Sequence, residues 1–70
     1  MNNLKTYRQR VGLSQRALAE KVGLKQTALG NYEVGIREPS VGTALKIYEV
    51  LRNKDKSISF TAIWNKQLTK

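Results

Sequence analysis

The chain has 70 residues, and its 13 Lys and Arg outnumber its 5 Asp and Glu, for a net charge of +8. This length predicts a single domain over residues 1–70 with a small core. The sequence holds no Cys and no His, which excludes disulfides, thiol nucleophiles and imidazole catalysis and makes an enzyme a remote expectation. No metal, cofactor or small-molecule ligand is expected. The basic charge predicts a cytoplasmic, nucleoid-associated protein with an anionic partner, and nucleic acid is favoured over an acidic membrane surface.

The first two helices are predicted from apolar spacing and from residues suited to helix ends. The first covers residues 3–11, where apolar side chains recur three and four positions apart. These side chains are Leu4, Tyr7 and Val11. The second covers residues 15–22, with Ser14 as its N-cap and Gly23 as its C-terminal stop.

Two further helices follow by the same reasoning. The third covers residues 26–34 and stops at Gly35. The fourth begins after Ser40 and ends near residue 51, with apolar side chains at helical spacing along it. They are Val41, Ala44, Ile47, Tyr48 and Leu51. Residues 52–57 are polar and charged, and they predict a loop.

The second and third helices form one pattern. Counted from Gln15, apolar residues occupy the fourth, eighth, tenth, fifteenth and eighteenth positions. They are Leu18, Val22, Leu24, Leu29 and Tyr32. Ala19 is small where two steeply crossing backbones must approach, and Gly23 supplies the positive φ that a three-residue turn needs. This pattern predicts a helix-turn-helix at residues 15–34.

Three motifs carry a resemblance to a known family. They are Leu-Ser-Gln at 13–15, Leu-Ala-Glu-Lys-Val-Gly at 18–23, and Tyr-Glu-Val-Gly at 32–35 followed by Arg-Glu-Pro-Ser at 37–40. Together they resemble the Cro/repressor family of helix-turn-helix proteins, which includes lambdoid phage repressors and the small Cro proteins. The resemblance covers residues 4–51. It implies an all-α, five-helix, lambda-repressor-like DNA-binding domain.

The resemblance also implies which residues contact DNA. Residues on the outward face of the third helix are expected to contact bases: Gln26, Thr27, Gly30 and Asn31. Gln26 opens that helix and can pair with adenine N6 and N7. At Gly30, simple tolerance and a close approach of the backbone to DNA remain equal alternatives. Phosphate contacts are expected from Gln15, Arg16, Lys25 and Arg37. The family residue at Gln15 also braces the first residue of the third helix, the recognition helix, whereas Lys25 and Arg37 are expected to contact phosphates because they flank that helix.

The resemblance further implies one structural ion pair. Glu33 lies on or near the inner face of the third helix, where an unpaired carboxylate is costly. In the family the matching Glu pairs with an Arg of the first helix, and Arg8 occupies that place here. We therefore expect an Arg8–Glu33 pair that supports the fold.

The last segment, residues 58–68, is predicted as a helix capped by Ser59, because its apolar residues continue at i+3 and i+4. Those residues are Phe60, Ile63, Trp64 and Leu68. Alternation at 58–61 leaves a strand as the alternative. A small domain has little room to bury all four side chains, and an exposed apolar patch usually marks an interface. Residues 58–70 are therefore predicted to form a dimer interface.

These expectations combine into one functional prediction. The protein is predicted to be a Cro-like transcriptional repressor that reads a pseudo-palindromic double-stranded operator through the major groove. It is expected to form a weak homodimer that DNA strengthens. The alternatives are an antitoxin-type regulator that also binds a toxin, and a protein-interaction module that binds no DNA.

Overall fold

Five α-helices occupy residues 2–64, the part of the chain that the computed structural model describes, and those residues include no β-strand. In chain order the helices are α1 (Leu4–Arg10), α2 (Gln15–Val22), α3 (Gln26–Val34), α4 (Val41–Lys54) and α5 (Phe60–Trp64). The predicted all-α, five-helix architecture is confirmed. None of the helices in this part of the chain has the length and apolar character needed to cross a membrane.

The ends of α2 and α3 follow from single residues. The Ser14 hydroxyl accepts a hydrogen bond from the Ala17 N–H at 3.0 Å and so caps the start of α2. α2 ends at Gly23 with φ 75°, and α3 ends at Gly35 with φ 85°. These left-handed conformations favour glycine, because any Cβ would crowd the following carbonyl. The predicted bounds of both helices are confirmed.

The fourth helix is longer than predicted. Its N-cap is Ser40, as expected, but it continues to Lys54 instead of ending near residue 51. The loop predicted from residue 52 was therefore wrong for its first three residues. Arg52 and Lys54 lie in the last turn, where positive charge interacts favourably with the carbonyl end of the helix dipole.

Asp55 ends α4 and turns the chain toward α5. Its Oδ1 accepts a hydrogen bond from the Ser57 hydroxyl at 2.7 Å and another from the Ser57 N–H at 3.0 Å. The hydroxyl bond first, and then the backbone bond, lower the pKa of the Asp55 carboxyl, because both stabilise the ionised form; the nearby Arg10 acts in the same direction. This local turn replaces the long loop expected from sequence.

The core draws on every helix and on the turn before α5. Its fully buried large side chains come from each of the five helices. They are Leu4, Leu18, Leu29, Ile47, Leu51 and Ile63. Ala44, Ile58 and Trp64 are also buried, whereas Val41, which shares the apolar spacing of α4, is 59% exposed.

Helix α5 closes the core and does not present an apolar stripe. Ile63 is fully buried and Trp64 is 6% exposed, while Phe60 is half-buried with its ring 5.7 Å from the ring of Tyr48. The Asn3 N–H donates to the Ile63 carbonyl at 2.7 Å, which joins the end of α5 to the start of the chain. The expectation that Ile63 and Trp64 are exposed and available to a second copy was therefore wrong, whereas Phe60 is only partly covered. The four preceding helices leave an apolar gap that α5 fills.

The fourth member of the predicted stripe, Leu68, lies outside the described residues.

Candidate nucleic-acid interface

The close packing of α2 on α3 positions the surface of α3. Ala19 is 1% exposed at this crossing, and its carbonyl accepts a hydrogen bond from the Leu24 N–H at 2.8 Å. Leu18 and Leu29 are completely buried on the inner sides of the two helices. With these side chains in the core, the opposite face of α3 is held rigidly at the surface.

The outer face of α3 carries uncharged polar groups. Gln26 and Thr27 are exposed, and one turn later Gly30 and Asn31 are half-buried. Their i, i+1, i+4 and i+5 spacing brings all four to one face of the helix. Amides and a hydroxyl of this kind match the donor and acceptor groups of base edges.

Cationic side chains lie at both ends of this face. Lys25 precedes α3 and is exposed. Arg37 lies in the turn after α3 and is also exposed; its N–H donates to the Asn31 carbonyl at 3.3 Å. The surface therefore offers positive charge on either side of a neutral polar strip.

The N-terminus of α2 lies beside the start of α3. The Gln26 Nε2 donates to the Gln15 Oε1 at 3.3 Å, so the first residues of the two helices are in direct contact. Arg16, the next residue of α2, is exposed and pairs with Glu20 at 3.3 Å. Because both side chains are solvated, this pair is weak, and the Arg16 guanidinium can exchange Glu20 for a phosphate.

A buried ion pair lies beneath this surface. The Arg8 Nε donates to the Glu33 Oε2, and the Arg8 Nη2 donates to the Glu33 Oε1 at 3.3 Å. The two side chains are only 9% and 3% exposed. The Arg8 Nη1 also donates to the Leu13 carbonyl at 2.9 Å, which ties α1 to the segment before α2. The pair thus joins α1, α3 and the α1–α2 turn.

Two contacts within the site were missed from the sequence. The Gln15 Nε2 donates to the Glu33 Oε1 at 3.0 Å, so the ion pair extends to the surface. The amide of Gln15 also lies over Gly30, where an added Cβ would be 3.4 Å from its Nε2. Neither alternative considered for Gly30 included this neighbour. No spacing rule could have found it, because it joins two helices across their crossing.

Residues 2–64 contain no group of three or more side chains that could hold a metal ion.

Comparison with known proteins identifies the family. A family model described as helix-turn-helix matches residues 4–55, which include α1 to α4. The chain is also 39% identical over 49 residues to YqaE of Bacillus subtilis strain 168, described as an uncharacterized HTH-type transcriptional regulator. The match covers 70% of this chain and 42% of that relative, so the chain spans about two fifths of the relative's length. On the extent of the family match and the geometry of α2 and α3, the chain belongs to the helix-turn-helix family.

Proposed function

We propose that the protein is a transcription regulator that binds double-stranded DNA sequence-specifically, with α3 in the major groove. One observation carries this proposal: the exposed face of α3 is polar and uncharged, and cations lie at both of its ends. A face that only contacts water would normally carry Lys and Glu. The net charge of +8 and the similarity to a protein described as a transcriptional regulator support the same conclusion.

In this proposal each residue on the outer face of α3 makes a different contribution to base recognition. Gln26, at the start of the helix, offers an amide for bidentate pairing with adenine, and Thr27 offers both a methyl group for thymine and a hydroxyl. Gly30 and Asn31 lie one turn further along the same face, where Asn31 can pair with adenine. The small volume of Gly30 leaves room for the amide of Gln15 and for a nearby base pair.

The phosphate contacts are assigned to groups around α3. Lys25 and Arg37 lie at its two ends, and Gln15 and Arg16 lie at the N-terminus of α2. A helix N-terminus presents unpaired N–H groups and a partial positive charge, which together favour a phosphate. These contacts would position α3 without selecting a sequence.

We further propose a Cro-like repressor that binds a pseudo-palindromic operator as a dimer. The chain has a radius of gyration of 10.8 Å and a longest extent of 31 Å, so one copy would place a single recognition helix, α3, in a single groove. Two copies on one face of the duplex would be about 34 Å apart, a full helical turn.

The contact between copies is now proposed beside α3. Within residues 2–64, the large apolar side chains that are exposed lie at the end of α3, in the following turn and on the first two turns of α4. They are Val34, Ile36, Val41 and Leu45. They offer a second copy the apolar surface that α5 does not, and they lie close in sequence to the recognition helix, where a two-fold axis would relate two operator halves.

Selection of binding sites from random duplexes, followed by sequencing, tests the whole proposal. We expect a symmetric site, and a log–log plot of affinity against salt with a slope of about −0.9 per phosphate contacted. Lys25→Glu with Arg37→Glu should greatly weaken binding. Lys46→Glu with Arg52→Glu on α4 makes the same charge change elsewhere and should weaken it much less. No enrichment of any sequence, or equal losses in the two double variants, would overturn the proposal.

A further inference from the structure

A chain of hydrogen bonds connects the buried ion pair with the first residue of α3. The Glu33 carboxylate accepts from Arg8 on one side and from the Gln15 Nε2 at 3.0 Å on the other. The Gln15 Oε1 then accepts from the Gln26 Nε2 at 3.3 Å. Glu33 is 8% exposed, Gln15 is half-buried and Gln26 is exposed, so the chain runs from the interior to the surface.

The donor and acceptor chemistry of these groups allows only one direction for this chain. An ionised carboxylate accepts hydrogen bonds and cannot donate them, so Gln15 must present its NH₂ group to Glu33. Its carbonyl oxygen then faces Gln26, which must in turn present an N–H to Gln15. A reversal of either amide would bring two donors or two acceptors into contact.

We infer that Glu33 is a positioning residue for base recognition, which it controls through the orientation of the Gln15 and Gln26 amides. This inference rests on the proposed function, because it concerns what Gln26 offers to DNA. With one N–H held by Gln15, Gln26 retains one N–H and its Oε1. In the major groove, adenine presents one acceptor and one donor, whereas guanine presents two acceptors. The fixed Gln26 amide therefore selects adenine against guanine.

The Gln15 amide also lies beside Gly30. A Cβ built at position 30 would lie 3.4 Å from its Nε2 and 3.6 Å from its Oε1, so the amide lies at van der Waals distance from the place that a side chain would occupy there. This neighbour cannot choose between the two amide orientations, because nitrogen and oxygen have nearly the same size. The Glu33 carboxylate determines the amide orientation, because it accepts a hydrogen bond only from the NH₂ group of Gln15.

Removal of the charge on Glu33 should reverse the direction of donation in the hydrogen bonds from position 33 to Gln26. In Glu33→Gln, the new amide oxygen takes the place of Oε2 and accepts from the Arg8 Nε, which makes the shorter of the two Arg8 contacts. The NH₂ group then takes the place of Oε1, where it loses the longer Arg8 Nη2 contact and faces Gln15. Gln15 must then turn its oxygen toward position 33 and its NH₂ group toward Gln26. Gln26 would accept with its oxygen and leave both N–H groups free, which is the pattern that guanine requires.

The test measures the ratio of affinities for two duplexes: the selected site, and the same site with guanine in place of the adenine that faces Gln26. We expect the parent protein to prefer adenine by about 5- to 150-fold. Arg8→Lys disturbs the same ion pair but keeps the carboxylate, so its ratio should stay near that of the parent. Glu33→Gln should bring the ratio below one. If Glu33 had a merely structural role, Arg8→Lys and Glu33→Gln would change the adenine-to-guanine affinity ratio by similar amounts. That result would overturn the inference.

A second variant serves if Glu33→Gln fails to fold. Gln15→Met breaks the chain of hydrogen bonds but keeps both charged members of the ion pair, and it frees the Gln26 amide to adopt either orientation. The loss of a phosphate contact at Gln15 should weaken both duplexes equally, whereas the adenine preference should fall to near one. A ratio unchanged from that of the parent would overturn the inference.

The free protein provides a measurement that needs no DNA. In ¹⁵N-labelled protein, exchange of the Gln26 side-chain amide protons should be slower in the parent and in Arg8→Lys than in Gln15→Met. Equal exchange in all three would show that the chain does not hold Gln26. If the parent selects no DNA sequence, the proposed function fails, and this exchange still decides whether Glu33 and Gln15 orient the amide.

Discussion

Helices α3 and α5 differ in what they leave at the surface, although both pack on the same core. α3 buries Leu29 and Glu33 and exposes amide and hydroxyl groups on its other face. α5 buries Ile63 and Trp64, and its half-buried Phe60 packs against the aromatic ring of Tyr48. The residues of α3 are thus available to a partner, whereas those of α5 stabilise the chain itself. Substitutions in α5 should therefore lower the stability of the fold, whereas substitutions on the exposed face of α3 should weaken binding and leave stability nearly unchanged.

The largest effect is expected in α5. Trp64→Ala should destabilise the fold by about 3–5 kcal/mol, because it leaves a cavity in a small core. Denaturant unfolding measures the loss. Trp64→Phe should be much milder, since the Trp64 Nε1 has no hydrogen-bond acceptor within residues 2–64 and the change removes that buried donor. A stable monomer of Trp64→Ala that has only lost dimerisation would restore α5 as an interface.

The next largest loss of stability is expected from the Arg8–Glu33 ion pair beneath α3. Arg8→Met should cost about 3–5 kcal/mol, because it leaves the Glu33 carboxylate buried without its cation. Arg16→Met breaks an exposed pair on α2 and should cost no more than about 1 kcal/mol.

Thermal unfolding of both variants provides the comparison. Arg8→Met with Glu33→Leu should recover much of the loss, since no charge then remains buried. Strictly additive losses from the two substitutions would mean that Arg8 and Glu33 do not interact.

At the exposed face of α3 the effect should fall on binding and leave stability nearly unchanged. Gln26→Ala should lose about 1–3 kcal/mol on the specific site and relax the preference at one base pair of each half-site. Gln9→Ala removes an equally polar, exposed side chain from α1 and should change neither quantity. Gel-shift titrations on specific and nonspecific duplexes decide the point: equal losses on both would show that Gln26 is not a reader.

Gly30→Ala should have a smaller and opposite effect on stability. A glycine inside a helix costs about 0.5–1 kcal/mol relative to alanine, and the added Cβ would only reach van der Waals contact with Gln15. We therefore expect a higher melting temperature. Gly42→Ala, which meets open space on α4, measures the propensity gain alone. A fall in melting temperature for Gly30→Ala would mean that the Gln15 amide cannot accommodate the methyl group.

The smallest effect should appear in the turn that joins α4 to α5. The lowered pKa of Asp55 means that its ionised carboxylate is stabilised more in the folded chain than in the unfolded chain. Its contribution is present at neutral pH and is lost as the pH falls through the folded pKa. Asp55→Asn should flatten this part of the stability–pH profile, as measured by urea unfolding at a series of acidic pH values. An unchanged profile would rule out a role for the Ser57 contacts.

Local rules explain which elements could be predicted. The bounds of α2 and α3 depend on Ser14, Gly23 and Gly35, whose capping and left-handed conformations need no information from the rest of the chain. The end of α4 was missed because the polar and charged residues 52–54 are compatible with either a loop or a last helical turn. The position at which α4 ends depends on Asp55 and Ser57, whose hydrogen bonds form only after the chain has turned.

Apolar periodicity and helix caps were therefore sufficient to predict a five-helix fold, and the uncharged residues Gln26 and Thr27 indicated the side of it that we propose to face DNA. Only the tertiary structure decided the position of Trp64 and the connection from Glu33 through Gln15 to Gln26. The physical reason is the same for both. An apolar side chain is buried wherever the other helices leave a gap, and a long polar side chain bonds whatever lies within its reach. Both outcomes depend on how helices distant in sequence pack together.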